Sequence, residues 1–276
     1  NMNHGRYRDW GKVKPTVGSR IDWGYSISRG LIFCSLLNEG SGNLVSDSIK
    51  KNSGVISAAS WVNSRIGKGL SYDGSSSVVT IPSSAVNLNI GTFSIWIKPT
   101  FTLQQDTVNY FLFDTDSARH AFFFATLGSV FQIYNDGRST DFTSIAGAAN
   151  LWYNFTIVYN KTGNIQKLFI NGNEQTGSNV LGTWGSTALG TNGYIGARIP
   201  SPTLNFSGVI DNIFLWNINL LPNEIKSHYL YTYRIIKGNR LNRYFFPPPA
   251  AGGVTLNQVE RRQPRGLGRG ILRGVP

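Results

Sequence analysis

Residues 208–233, GVIDNIFLWNINLLPNEIKSHYLYTY, decide the fold. The first ten, GVIDNIFLWN, are a long β-type run of branched and aromatic residues. The remainder, beginning at Leu221-Pro222, carries Leu221, Ile225 and Tyr229 at helical spacing behind a proline suited to a first helical turn. This is the one convincing helix in the sequence, and on that spacing His228 falls on its polar side. Upstream the chain reads as strands. Short apolar runs such as LIFCSLL (31–37), SVVTI (77–81), TFSIWIKP (92–99), YFLFDT (110–115), HAFFFAT (120–126), VFQIYND (130–136) and WYNFTIVYN (152–160) alternate with clusters of Gly, Asn, Ser and Asp. About a dozen such runs, closed by one short helix, predict an all-β sandwich or jelly roll with the helix as its cap.

The alternation within the runs assigns faces. In TFSIWIKP, Phe93, Ile95 and Ile97 share one side and Ser94, Trp96 and Lys98 the other, as in a sheet with one covered face. Phe155, Ile157 and Tyr159 repeat the pattern in NFTIVYN. Asn171-Gly172 in FINGNEQ tolerates the positive φ angles of a two-residue hairpin turn. Cys34, the single cysteine, lies inside an apolar run and reads as a buried small hydrophobe; no intramolecular disulfide can form. Apolar runs fall well short of the roughly 20 residues of a membrane helix. Asn1 precedes the only methionine, Met2, which leads us to expect processing or a longer precursor.

Charge is unevenly distributed. Residues 1–29 hold six Lys or Arg and two Asp, residues 234–276 hold nine basic residues and one Glu, and residues 30–233 hold eleven of each sign. The net charge of +12 therefore resides in two terminal segments, +4 and +8, around a neutral body. This divides the chain into a basic N-terminal arm (1–29), a β domain (30–233) and a basic Pro/Gly/Arg-rich C-terminal arm (234–276).

The runs GLIFCSLLNEGSGNLVSDS, WVNSRIGKGLSYDGSSSVVTIP, FSIWIKP, LFINGNE and FSGVIDNIFLWNINLLPNEIKSHY resemble, in order, the signatures of the concanavalin A-like, laminin-G-like domain. The resemblance covers about residues 30–233 and implies a jelly-roll sandwich. It leaves function open, because lectins, glucanases, adhesion modules and virion proteins share this fold. The lead-in KPTVGSRIDWGYSISRGL is similar to segments preceding such domains in tailed-phage structural proteins.

A hydrolase of this superfamily needs two carboxylates roughly 5–10 Å apart. The glutamates Glu39, Glu174, Glu224 and Glu260 stand apart, the family's Glu-x-Asp-x-Glu pattern is absent, and the only close pair is Asp114 and Asp116 at a strand end. No catalytic residue is expected. His4, His120 and His228 are isolated from one another and from cysteine, so a zinc site has no support; His120 reads as a polar strand-start residue. The resemblance implies one structural calcium as a candidate cofactor, with Asp47, Asp73 and Asp211 as its carboxylates; the alternative is that Asp73 caps a turn and Asp211 accepts backbone hydrogen bonds near the sandwich rim. A lectin role would use exposed aromatics, for which Tyr110, Tyr134, Trp152 and Trp184 are candidates against the alternative of core or rim packing. Three glycosylation-type sequons, at Asn154, Asn160 and Asn205, are expected by chance in Asn- and Thr-rich β sequence.

The arms suit assembly. Trp10 and Trp23 sit in a repeated Asp-Trp-Gly unit, and either anchor in a partner's pocket or fold back on the sandwich. Arg240 and Arg243 precede Tyr244, Phe245 and Phe246, three prolines follow, and Arg261, Arg262, Arg265, Arg269 and Arg273 lie among glycines that disfavour a helix. An extended peptide laying guanidinium forks onto acidic groups is expected. The sequence expectation is thus a non-enzymatic virion structural protein on the capsid surface, a decoration subunit whose arms bind the major capsid protein, other virion subunits or copies of itself. The alternative is a carbohydrate-binding or adhesion module, extracellular or on a cell surface, with a surface glycan as partner. No membrane partner is expected, and nucleic acid is disfavoured because the neutral body offers no basic groove.

Overall fold

The computed structural model describes residues 13–104, 108–116, 120–125, 130–198 and 204–237. In chain order these form β1 (Arg20–Ile21), β2 (Leu31–Ser35), β3 (Leu44–Val45), β4 (Gly54–Ser57), β5 (Ser60–Asn63), β6 (Lys68–Asp73), β7 (Val78–Pro82), β8 (Ile90–Pro99), β9 (Tyr110–Thr115), β10 (His120–Ala125), β11 (Val130–Asn135), β12 (Arg138–Phe142), β13 (Tyr153–Asn160), β14 (Ile165–Ile170), β15 (Asn173–Gln175), β16 (Asn179–Leu181), β17 (Asn192–Ile195), β18 (Ser207–Trp216), helix α1 (Pro222–Leu230) and β19 (Ile236–Lys237).

Two large sheets make the jelly-roll sandwich. One runs β16-β12-β11-β10-β9-β17-β7-β4-β3, and the other β15-β14-β13-β8-β18-β6-β5, with β2 also paired to β18. Between them lies a core that includes Phe93, Ile95 and Ile97 of β8 and Phe155, Ile157 and Tyr159 of β13, facing Phe113, Phe122, Phe124 and Phe131. The period-two reading of both strands is therefore realised. Asn171 (φ 52°) and Gly172 (φ 73°) make the β14–β15 turn, with Ile170 opposite Asn173.

The expectation of one covered face fails, because the outer side of the second sheet is buried as well. Ser94 is fully buried and Trp96 4% exposed. A second apolar layer, comprising Ile21, Ile27, Leu31, Cys34, Val158, Phe169, Phe214, Trp216, Ile225, Tyr233, Ile235 and Ile236, closes over that surface. Both domain boundaries drawn from charge cut through this layer. Residues 13–29 and 234–237 pack as part of the body: β1 pairs with β19, and Trp216 Nε1 donates to the Ile27 carbonyl at 2.7 Å.

Helix α1 forms where the sequence placed it, with Glu224 accepting from the Leu221 amide at 2.9 Å. Its buried face runs through Ile225 and His228, three residues apart, whereas Leu221 is exposed. His228 is thus packed inward, edge-on to Phe214 and Trp216 with ring centroids at 4.6 and 5.2 Å; this corrects its expected place on the polar side. Cys34 is fully buried, and burial pushes its thiol pKa up. Asn154 and Asn205 are buried at 0% and 2% exposure, so these two sequons are closed to modification in the folded chain. Among the described residues no helix is long and apolar enough to cross a membrane.

Candidate functional site

At one end of the sandwich, loops from both sheets enclose a cleft of about 530 Å³. Its lining comes from the loop before β8 (Asn87, Leu88, Asn89), the first residue of β10 (His120), the β11–β12 turn (Asp136), the residue after β13 (Lys161), the segment Trp184–Leu189 and Asn217 after β18. Asp136 (φ 41°) and Gly137 (φ 98°) make the tight turn between β11 and β12. The Asp136 carboxylate accepts from the Thr187 amide at 2.8 Å and from its hydroxyl at 3.0 Å, and its carbonyl accepts from the Gly185 amide. A Cβ on Gly185 would lie 2.0 Å from that carboxylate, so the close approach of the two loops requires glycine there. Lys161 Nζ donates to the Gly185 carbonyl. Trp184, half-buried against the inter-sheet core, is pinned by its Nε1, which donates to Asn164 Oδ1 at 2.9 Å.

His120 closes the inner end of the cleft. It is 4% exposed; Asn135 donates through Nδ2 to its Nδ1, which places the ring proton on Nε2. Asn135 in turn accepts from Gln166 Nε2 at 2.7 Å, and Gln166 accepts from the Thr140 hydroxyl at 2.6 Å. Burial pushes the His120 pKa down to about 4, with Asp136 opposing and Lys161 adding to the shift. The imidazole is therefore neutral near pH 7. Such a surface offers one indole plane, amide and hydroxyl hydrogen-bonding groups, a lysine ammonium held by the Gly185 carbonyl, and a single carboxylate already occupied by Thr187.

Of the four aromatics expected to bind sugar, the structure brings only Trp184 to this cleft. Tyr110 stacks on Phe101 with centroids 3.9 Å apart. Tyr134 packs against a separate cluster built on Phe111 and Phe123, and Trp152 lies half-buried just before β13. Both members of the aspartate pair have partners: Asp114, 2% exposed, accepts from the Thr115 amide and lies 3.9 Å from Arg198 Nε, while Asp116 accepts from the Thr191 and Asn192 amides at 3.0 and 3.2 Å.

The calcium expectation does not survive the donor geometry. Asp47 accepts from the amides of Cys34, Ile49, Lys51 and Asn52. Asp73 accepts from the amides of Ser75, Ser76 and Ser77. Asp211 is paired with Lys14. Each carboxylate is saturated by its own donors, and among the described residues no three His, Cys, Asp or Glu side chains gather; the set does not fit a shared cation.

Of the assembly residues, Trp23 is 56% exposed, in a turn where Asp22 accepts from the Gly24 amide at 3.2 Å. Trp10, Arg240, Arg243, Tyr244, Phe245, Phe246, Arg261, Arg262, Arg265, Arg269 and Arg273 lie outside the described residues. Sequence reasoning missed Asn87, Asn89, Asp136, Lys161 and Asn217. The Asp136-Gly137 turn signal was present, but nothing local announced the Thr187 it would hold, 51 residues away.

Known proteins place the fold. The fourth domain of the GH43 extracellular arabinanase AbnA from Geobacillus stearothermophilus, solved in complex with arabinotriose, is similar at 17% identity and a TM-score of 0.54 over 71% of this chain and 97% of that one. A mutant Trypanosoma rangeli sialidase displaying trans-sialidase activity is similar at 14% identity and a TM-score of 0.55, over 77% of this chain but only 34% of the sialidase. At these identities the likeness concerns fold alone. No curated protein matches this chain. The profile of the concanavalin A-like lectin/glucanases superfamily matches residues 73–226, more than half the sequence, and the chain belongs to that superfamily.

Proposed function

We propose that the sandwich is a non-catalytic glycan-binding module and that the cleft beside Trp184 is its ligand site. The observation carrying this reading is a half-buried indole, fixed through Nε1, that lines a cleft shared with asparagine, serine and threonine side chains, His120, Lys161 and one carboxylate. An indole plane covers the C–H face of a sugar ring, and amide and hydroxyl groups pair with its hydroxyls. The volume falls within the roughly 300–1,000 Å³ of small-ligand sites. A glycosidase would need a second carboxylate, and Asp136 is the one acid lining the cleft. Screening the chain and its Trp184→Ala variant on a glycan array tests the reading. Signal for the parent and loss in the variant are expected, and no signal above background for the parent would refute it.

A second reading is favoured by the charge partition: the module belongs to a virion or similar assembly, held there by its basic terminal segments. Arginine-rich peptides with aromatic residues suit acidic protein surfaces, and many copies multiply a modest affinity. Deleting residues 247–276 would leave the sandwich folded and sharply reduce particle attachment, with further loss in high salt. Full occupancy by the truncated chain would exclude this role for the segment.

A further inference from the structure

The lead-in Val13–Ser19 joins the body with little apolar help. Val13 is 74% exposed and Val17 50%, while Asn38 Nδ2 donates to the Pro15 carbonyl at 3.0 Å. What it does bury is Lys14. The Lys14 side chain, 1% exposed, meets Asp211 Oδ1, on a side chain of 0% exposure, and also donates to the carbonyls of Leu37 and Lys68. Asp211 owes its position to a bulge in β18: the register against β8 shifts between Asp211 and Ile213, with Asn212 at φ 45°. Ile210 and Ile213 therefore both belong to the inter-sheet core, and the aspartate between them reaches the lead-in. Its second oxygen, Oδ2, accepts from the Ser64 hydroxyl at 2.5 Å. Glu39 acts electrostatically on Lys14; its Oε1 accepts from the Ser46 amide at 2.7 Å, and its Oε2 is buried without a hydrogen-bond partner.

We propose that Lys14 and Asp211 condense into an intramolecular isopeptide bond that locks the lead-in to the central strand β18. Desolvation prepares both groups, as the leading cause that lowers the Lys14 pKa and raises that of Asp211. Both shifts favour the neutral amine and the protonated carboxyl, the two forms that react. The Lys14 Nζ lone pair attacks Asp211 Cγ, forming the C–N bond. Ser64 donates to Oδ2, which carries the negative charge of the tetrahedral intermediate and remains as the amide oxygen. One proton passes from the nitrogen to the Oδ1 hydroxyl inside the sealed contact, and the Cγ–Oδ1 bond breaks to release water. One amine and one carboxylic acid become one amide and one water, with no oxidant, reductant or cofactor. Contact held at an effectively intramolecular concentration supplies the rate.

The test is the intact mass of the full chain, purified and denatured. The expected mass is one water below that of the sequence, with proteolysis yielding a branched peptide that joins Lys14 to Asp211. Lys14→Arg, which keeps the cation but lacks a condensable amine, should show the sequence mass. Ser64→Ala, which removes the donor to Oδ2, should form the bond slowly and give a mixture of both masses. A parent chain at sequence mass, with Lys14 open to acylation after denaturation, would overturn the proposal and leave a non-covalent ion pair. A missing water without the branched peptide would do the same, and complete crosslinking in Ser64→Ala would overturn the part given to the serine.

Discussion

The second sheet is buried on both sides, but by different means. Toward the first sheet it presents a close-packed aromatic and aliphatic core drawn from regular alternation on neighbouring strands. Toward the outside it is covered by short pieces remote in sequence, namely residues 21–27, α1 and the stretch 233–236. Polar groups are sealed beneath that cover. Ser94, Asn154 and Thr156 bond to one another, Lys14 pairs with Asp211, and both ring nitrogens of His228 are buried without partners. The inner layer makes the fold; the outer layer makes it conditional on the chain's ends, on solvent and on pH.

The largest expected effect separates the two layers by truncation. A chain of residues 30–233 keeps the inner core but loses Ile21, Ile27, Ile235 and Ile236 and exposes Phe214 and Trp216. It should aggregate, whereas residues 13–237 should be soluble and β-rich by circular dichroism. A soluble, monomeric 30–233 would show that the cover is dispensable.

Within the inner layer, Phe155→Ala removes a fully buried ring that packs on Phe124 and Phe131. It should cost about 3–5 kcal/mol in denaturant unfolding, and a loss below about 1 kcal/mol would contradict the close packing inferred there.

The outer layer should show its character in acid. Burial pushes the His228 pKa down to about 4, below the ordinary value near 6.5. The folded chain holds this imidazole neutral, and the unfolded chain protonates it first. Its contribution is therefore fully present above pH ~6.5 and is lost as the pH falls from there toward about 4. His120 adds a loss of the same sign over the same window. His228→Leu should flatten the decline in melting temperature across this range without abolishing it, and an unchanged profile would mean that His228 does not contribute.

The smallest effect on stability is expected at the cleft. Trp184→Ala should lower stability by about 1 kcal/mol or less, since the ring is half-buried and the loop carrying it is held separately through Gly185 and Thr187.

The inner layer was legible because its information is local. Alternation in 92–99 and 153–160 names the inward residues directly, and Asn171-Gly172 names its own turn. The outer layer was not, for two physical reasons. β18 is buried on both faces, so its residues do not alternate in polarity, and the bulge at Asn212 shifts its phase. The covering residues also sit in segments whose net charge made them read as free arms; the apolar positions Ile21, Ile27, Ile235 and Ile236 are sparse among Arg, Lys, Ser and Gly. The cleft was legible only in Trp184. Its other walls come from six further parts of the chain, Ile32 of β2 among them, and Asp136, His120 and Asn217 acquire a shared surface only once both sheets are in place. Of the three aspartates singled out for a cation, Asp47 and Asp73 accept backbone amides, whereas the partners of Asp211 are a lysine and a serine hydroxyl drawn from remote parts of the chain.

The glycan site is tested most directly by following the indole Nε1–H resonances of the chain in NMR while titrating the glycan giving the strongest array signal. The Trp184 resonance, assigned by its absence in Trp184→Ala, should move progressively with ligand while those of the buried Trp96 and Trp216 stay fixed. A saturable response at Trp152 or Trp23 with Trp184 unmoved would contradict the cleft as the binding site.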